Sequence, residues 1–394
     1  MRFKSLRIDH KELYIGVMSG TSMDGVDTAL VSIEGTNITL LAHDEFPMPN
    51  ELKERLLKVC IGQKTDLIAI GELDHQLGHL FADAVLQLLE KSNTLASAVT
   101  AIGNHGQTVF HQPTGDAPFT MQLGDANIIS ARTNISTVAD FRRKDMALGG
   151  QGAPLVPAFH QHIFSTQDST VVVLNIGGIS NISVLPAQLN PEHPSDINFE
   201  PSVIGYDTGP GNMLMDAWIK KQRGEQYDHD GQYAQSGQVS EPLLNQLLSD
   251  DYFTQAAPKS TGRERFNLPW LELQLAHHSL TGEDVQATLL EFTAVSIANE
   301  VLRYQVGNKP ELLVCGGGVR NTFLMARLQQ LLPNWIVAST QTKGIDSDYM
   351  EAMAFAWLAH QRIHGLPSNL PQVTGASRLA SLGVIYPIDP CHVD

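Results

Sequence analysis

Four short segments pair glycine with small polar residues: SGTSMDG (19–25), NIGGISN (175–181), DTGPGN (207–212) and CGGGVRN (315–321). Glycine has no Cβ, so backbone N–H groups beside it can approach an anion closely. In the first segment Ser19, Thr21 and Ser22 add hydroxyl donors, and a hairpin turn of this composition can cradle a β- or γ-phosphate. The plainer alternative is a tight hairpin whose glycines only meet positive φ. No lysine follows Gly25, which excludes a Walker A loop, and the segment is not a GxGxxG fingerprint. NIGGISN supplies a second turn of the same type, and two such turns can clamp a triphosphate. CGGGVRN offers bare backbone on which a purine or ribose can lie, or else close strand–helix packing.

Asp207 follows a strand and precedes a glycine turn, a place where carboxylates project beyond a sheet. It is a candidate general base, against the reading of an Asx-turn or helix N-cap. Glu351 opens a helix in GIDSDYMEAMAFAW, where it is either a ligand group or a partner of the helix dipole, with Asp346 and Asp348 as possible caps. His105 and His111 follow an apolar strand and are placed to meet a substrate. Arg142, Arg143 and Lys144 are the one local basic cluster, a carboxylate or phosphate clamp or a solvated turn. His75, His79 and Asp83 share a helix face as metal ligands would, but that face lies opposite a leucine stripe and reads as solvated. There is no GxSxG elbow and no CxxC, so serine and cysteine nucleophilic catalysis are poorly supported.

The elements that must carry these groups alternate between strand and helix, which reads as an α/β fold. Residues 14–18 and 26–33 form a hairpin around the first turn. Leu73, Leu77, Leu80, Phe81, Ala84, Val85, Leu88 and Leu89 mark an amphipathic helix over 73–89. Residues 170–175 form a β-branched strand, with 182–185 and 203–206 as partners and a proline-rich surface loop between those two. Residues 222–238 are polar, rich in Gln and Gly, and read as mobile. Helices are expected at 289–304, 321–332 and 350–363, and a buried strand at 311–315.

The chain has 394 residues, with 26 Lys and Arg against 42 Asp and Glu, a formal net charge of −16. That balance argues against a nucleic-acid or membrane-surface binder, which needs a broad basic face. The three cysteines, Cys60, Cys315 and Cys391, are too few and too scattered for a disulfide framework. No apolar run approaches the ~18–20 residues of a membrane span, and the N-terminus lacks a signal-peptide core. The expectation is a soluble cytoplasmic protein.

Together, YIGVMSGTSMDGVDTALV, GNHGQTVFH, VADFRRKDMALGGQGAPLVP, NIGGISN, YDTGPGN, CGGGVRN and GIDSDYMEAMAFAWLA closely resemble the anhydro-N-acetylmuramic acid kinase family, over about residues 13–385. That family belongs to the actin, hexokinase and sugar-kinase superfamily. The resemblance implies a two-lobed actin-like (ribonuclease H-like) fold, mixed sheets flanked by helices around an ATP cleft. Lobe I is expected at 1–140 with about 345–394, and lobe II at 141–344. It implies ATP-binding roles for Gly20, Thr21, Ser22, Met23, Asp24, Gly25, Val26 and Asp27. The second turn, with Asn175, Gly177 and Gly178, and the adenosine motif, with Gly316, Gly317, Gly318 and Asn321, would complete the nucleotide site. Asp207 would be the catalytic base and Glu351 a sugar ligand. His105, Arg142 and Arg143 are the further substrate candidates. The superfamily often carries Asp four residues before the turn Thr. Here that position is Val17, which leaves the Mg2+ of ATP to Asp24 or Asp27 through water.

The implied reaction couples two steps. Water deprotonated by Asp207 opens a 1,6-anhydro bridge at the anomeric carbon, and the released O6 attacks the γ-phosphate of ATP. The products are N-acetylmuramic acid 6-phosphate and ADP, in cell-wall recycling. The expected partners are small molecules and a second copy of the chain in a homodimer, with no nucleic acid and no membrane. The alternatives are an ordinary sugar kinase of this fold, a non-catalytic nucleotide switch, and a paired-histidine metalloprotein.

Overall fold

The computed structural model describes residues 10–20, 23, 25–60, 62–188 and 202–388. Its strands are β1 (Glu12–Met18), β2 (Gly25–Glu34), β3 (Asn37–Pro47), β4 (Val99–Asn104), β5 (Gln107–Gln112), β6 (Phe119–Leu123), β7 (Thr137–Ala139), β8 (Val171–Ile176), β9 (Ile179–Leu185), β10 (Ile204–Pro210), β11 (Glu311–Cys315), β12 (Ile336–Ser339) and β13 (Val384–Tyr386). The chain divides into two units, 1–163 with 344–394, and 164–343.

The first unit holds a sheet in the order β13-β7-β4-β1-β2-β3. Strands β1, β2 and β3 form an antiparallel meander, while β4 and β7 run parallel to β1 and to each other. The second unit holds the order β10-β9-β8-β11-β12, again three antiparallel strands followed by parallel β11 and β12. Both sheets therefore follow one ribonuclease H-like plan, an antiparallel hairpin extended by parallel crossovers. In each, a glycine turn closes the first hairpin of the sheet.

Segment 141–163, expected in the second lobe, belongs to the first unit. The reason is packing: Phe141 lies 5.5 Å from Phe355, and Phe159 lies 6.0 Å from Trp357, ring to ring. Those partners sit on the Met350–Ile363 helix, nearly all of which is buried. Two glycines let that helix approach the sheet. A Cβ on Gly16 would lie within van der Waals overlap of the Ala352 carbonyl oxygen, and one on Gly103 would meet that of Phe355. Leu67–Lys91 covers another part of the first core, capped by Asp66, whose side chain accepts from Ala69 N at 2.8 Å.

In the second unit Val172, Leu174 and Ile176 pack with Leu289, Phe292 and Ile297 of the Gly282–Val301 helix. That helix begins seven residues before the expected start, because Thr281 caps it by accepting from Asp284 N at 3.2 Å. Residues 222–238, read as mobile, form short helical turns instead. The Asp228 carboxylate organises them, accepting from Tyr233 N at 2.8 Å and Ala234 N at 2.9 Å. Most of the expected proline-rich loop falls outside the described residues. Among the described residues no helix is long and apolar enough to cross a membrane.

Candidate active site

Thr21, Ser22 and Asp24 of the first turn lie outside the described residues, as does Cys391. What frames the turn is described. Ser19 is buried, and its hydroxyl donates to Oε1 of Gln107 at 2.7 Å. Gln107 in turn donates from Nε2 to the Gly20 carbonyl at 3.4 Å. Met23 adopts φ 52° and its N–H reaches the Gly20 carbonyl at 3.3 Å, which closes the turn. Among the described residues, a Cβ on Gly20 would meet nothing within 4 Å, which leaves room for a ligand against them. Val17, Met23 and Val26 are core residues, and only their backbone is available.

Asp27 sits across from Met18 and Glu45 in the sheet. Burial, then the charges of Glu45, Glu351 and Asp348, push its carboxyl up to about 6. The charges of these neighbouring carboxyls make the surroundings of Asp27 attractive to a hard cation such as Mg2+. Glu351 lies in the first turn of its helix and is open to solvent. The surrounding protein still pushes its carboxyl above the ordinary value, while Arg142 works in the opposite direction.

Arg142 and Arg143 part company. Arg142 donates from Nε and Nη2 to Nε2 of His105, at 3.1 and 2.8 Å, and from Nη1 to the Gly152 carbonyl at 2.8 Å. Burial, then the Arg142 charge, hold His105 neutral, well below its usual titration range. Arg143 points outward instead, paired with Asp140 at 2.6 Å, in a groove it shares with Lys144 and Arg362. The structure thus brings His105 and Arg142 together, with the Glu351 charge felt at Arg142, and leaves Arg143 apart. His111 is exposed, its Nδ1 3.0 Å from the Thr120 hydroxyl. At His79 and Asp83 a cation is already in place: Arg132 contacts His79 Nδ1 at 3.2 Å and Asp83 Oδ1 at 2.7 Å.

In the second unit a β-bulge between Asp207 and Gly209, with Gly209 at φ 142°, shifts the register of β10 against β9 before the ladder resumes. Asp207 Oδ2 accepts from the Ser260 hydroxyl at 2.8 Å and from Thr261 N at 3.0 Å. The Tyr252 hydroxyl fixes the Asp207 carbonyl at 2.6 Å. Behind it Lys259 and Glu300 form a buried ion pair at 2.8 Å, and Glu300 also takes the Tyr206 hydroxyl at 2.9 Å. Burial raises the Asp207 carboxyl above its ordinary value, while the Thr261 and Ser260 hydrogen bonds pull it back. Asp207 is not a cap: Asn212 precedes the Met213–Arg223 helix, without a side-chain cap bond.

The second turn supports that helix start. The Gly177 carbonyl accepts from Asn212 N at 2.8 Å, and the Gly178 carbonyl accepts from Gly211 N at 2.9 Å. Arg263 Nη2 would stand 3.8 Å from a Cβ on Gly178, which brings a guanidinium to the turn. Asn175 lies beside Gly316 at the paired ends of β8 and β11. The three glycines of CGGGVRN divide their work. Gly316 takes φ 78°, Gly318 packs on Ile176, and Gly317 alone faces a cavity of about 310 Å3. Met215, Asp216, Tyr227, His229 and Asn321 also line this cavity. Asn321 caps the Thr322–Leu331 helix, accepting from Leu324 N at 3.0 Å.

Sequence reasoning missed Gln107, Ser260, Thr261, Arg263 and the cavity wall at 227–230. The string KSTGRER (259–265), dense in hydroxyl and basic residues, was the available signal for three of them.

A half-buried, hydrogen-bonded carboxylate on a bulged strand, glycine turns and two ribonuclease H-like sheets fit a phosphotransferase of the sugar-kinase class. The sequence model of anhydro-N-acetylmuramic acid kinase matches residues 12–388. A protein of that name from Vibrio parahaemolyticus is 66% identical over 95% of this chain and 98% of its own. One from Vibrio cholerae is 65% identical over 95% and 98%, and one from Pasteurella multocida is 54% identical over 95% and 96%. The chain belongs to the anhydro-N-acetylmuramic acid kinase family.

Proposed function

We propose that the protein opens the 1,6-anhydro ring of 1,6-anhydro-N-acetylmuramic acid and phosphorylates O6 with ATP, in the recycling of cell-wall sugars. Asp207 takes a proton from water. The water oxygen bonds to C1 as the C1–O6 bond breaks. The freed O6 attacks the γ-phosphorus, and ADP leaves. The products are N-acetylmuramic acid 6-phosphate and ADP, and the proton passes from Asp207 to solvent.

The observation that carries this reading is the Asp207 carboxylate. Oδ2 is held by Ser260 and Thr261, which orients the group, and burial raises its proton affinity towards that of a useful base. Arg142, held against neutral His105, and Glu351 are the substrate-binding groups, the arginine as partner for the lactyl carboxylate. Arg143, turned outward to Asp140, is not among them. The first turn (Gly20 to Asp27) and Asn175, Gly177 and Gly178 bind the phosphates. Gly317 and Asn321 bind adenosine, with Gly316 and Gly318 shaping the loop. Asp27 or Asp24 would hold Mg2+ through water, and the ion would neutralise charge on the phosphate oxygens. Phosphoryl transfer then rests on positioning and electrostatics. The cytoplasm and a homodimeric state complete the reading.

The test is to supply magnesium-ATP and the anhydro sugar in oxygen-18 water. A phosphorylated product carrying one labelled oxygen at C1 is expected. A phosphorylated product with the anhydro ring intact, or ADP without phosphosugar, would overturn the coupled reaction.

A further inference from the structure

At the start of β1 and the end of the Met350–Ile363 helix, a cluster of histidine and carboxylate side chains lies apart from every group discussed above. His360 and His364 are one helical turn apart and project from the same face, with ring centroids 4.7 Å apart. Glu12 faces them from the strand. Its Oε2 lies 2.8 Å from Nε2 of His364 and 4.0 Å from Nε2 of His360. His10 reaches the other carboxylate oxygen, Oε1, at 2.9 Å. One ligand atom from each of Glu12, His360 and His364 falls within 4.8 Å of the others.

We propose that Glu12, His360 and His364 form a binding site for a borderline divalent transition metal, Zn2+ in the first instance, with His10 or water as the fourth ligand. Tetrahedral bonds of ~2.0–2.1 Å set ligand atoms about 3.4 Å apart, and the two measured separations bracket that value. Two imidazoles and a carboxylate match zinc chemistry and not that of Mg2+ or Ca2+, which prefer oxygen.

The supporting shell is present as well. The Tyr14 hydroxyl donates to Glu12 Oε2 at 2.7 Å, which orients the carboxylate.

His364 and Glu351 lie at opposite ends of the helix, about 20 Å apart at 1.5 Å per residue. A metal here clips the first strand to the last long helix without touching the reacting groups. Its effect is on stability, by preferential binding to the folded chain.

The test uses full-length protein stripped with EDTA and titrated with Co2+, whose visible d–d bands report tetrahedral coordination. One equivalent is expected to bind, to be displaced by Zn2+, and to raise Tm by several degrees with kcat unchanged. Glu12→Gln and His364→Ala, each checked for folding by circular dichroism, should weaken Co2+ binding at least tenfold, and His79→Ala should not. Absence of saturable Co2+ binding at micromolar concentration, or binding that survives His364→Ala unchanged, would overturn the proposal.

Discussion

The Ser260 hydroxyl donates to Oδ2 of Asp207 at 2.8 Å, from 53 residues further along the chain. A hydrogen bond to a carboxylate favours its ionised form, so this contact lowers the pH at which Asp207 ionises. Ser260→Ala should therefore shift the acid limb of kcat/KM to higher pH, by about one unit at most, since Thr261 N still holds the same oxygen. An acid limb that stays in place in this variant would separate Asp207 from the titrating base.

Asp207→Asn removes the proton acceptor but preserves the shape that Ser260 and Thr261 grip. Turnover should fall by roughly three or more orders of magnitude, while calorimetry reports near-normal binding of ATP and sugar. Turnover within tenfold of the parent protein would assign the base elsewhere.

Glu351 stands at a helix start with Arg142 as its attractive neighbour. Glu351→Ala should weaken sugar binding about tenfold or more and leave nucleotide affinity within about twofold. Parallel loss of both affinities, accompanied by a lower Tm, would mean that the residue serves the helix rather than the ligand.

Asp27 links pH to stability. Its folded-state value, about 6, exceeds the ordinary 3.8, so the fold disfavours its charged form. The stability tied to its neutral form is complete below pH 3.8 and is lost as pH rises through about 6. Without Mg2+, Asp27→Asn should raise stability near pH 7.5 by about 1–2 kcal/mol, discounted for partial exposure, and change little at pH 4. Urea unfolding at both pH values measures this, and a destabilised variant at the higher pH would contradict the charge crowding around Asp27.

Gly16 and Gly20 should respond oppositely to alanine. At Gly16 the new methyl would overlap the Ala352 carbonyl, and the helix cannot retreat without leaving its sheet. A loss of about 3 kcal/mol or more is expected, read as a large drop in Tm. At Gly20 the methyl meets nothing among the described residues, so Tm should hold while ATP affinity falls if that backbone carries phosphate. Equal Tm losses in both variants would deny Gly20 an open backbone.

Much was legible from local pattern. The hairpin around the first turn, the apolar strands β8 and β11, and the helix that carries Glu351 all follow from residue period and turn composition. The seven motif strings pointed to the family, whose model matches residues 12–388. Local pattern reports which face of an element is apolar and where the backbone must turn. It does not report which distant residue a side chain will meet.

Tertiary structure alone decided those meetings. Arg142 and Arg143 are adjacent in sequence, yet successive helical positions diverge by about 100°, so one reaches His105 and the other Asp140. Asp207 became a held carboxylate only when the 259–261 loop folded against it. Of three consecutive glycines, only Gly317 faces the cavity, because Gly316 and Gly318 are spent on the close approach of β8 and β11. Glu12 and His364 begin 352 residues apart and end 2.8 Å apart. Such contacts are products of chain packing, which joins positions that no local spacing connects.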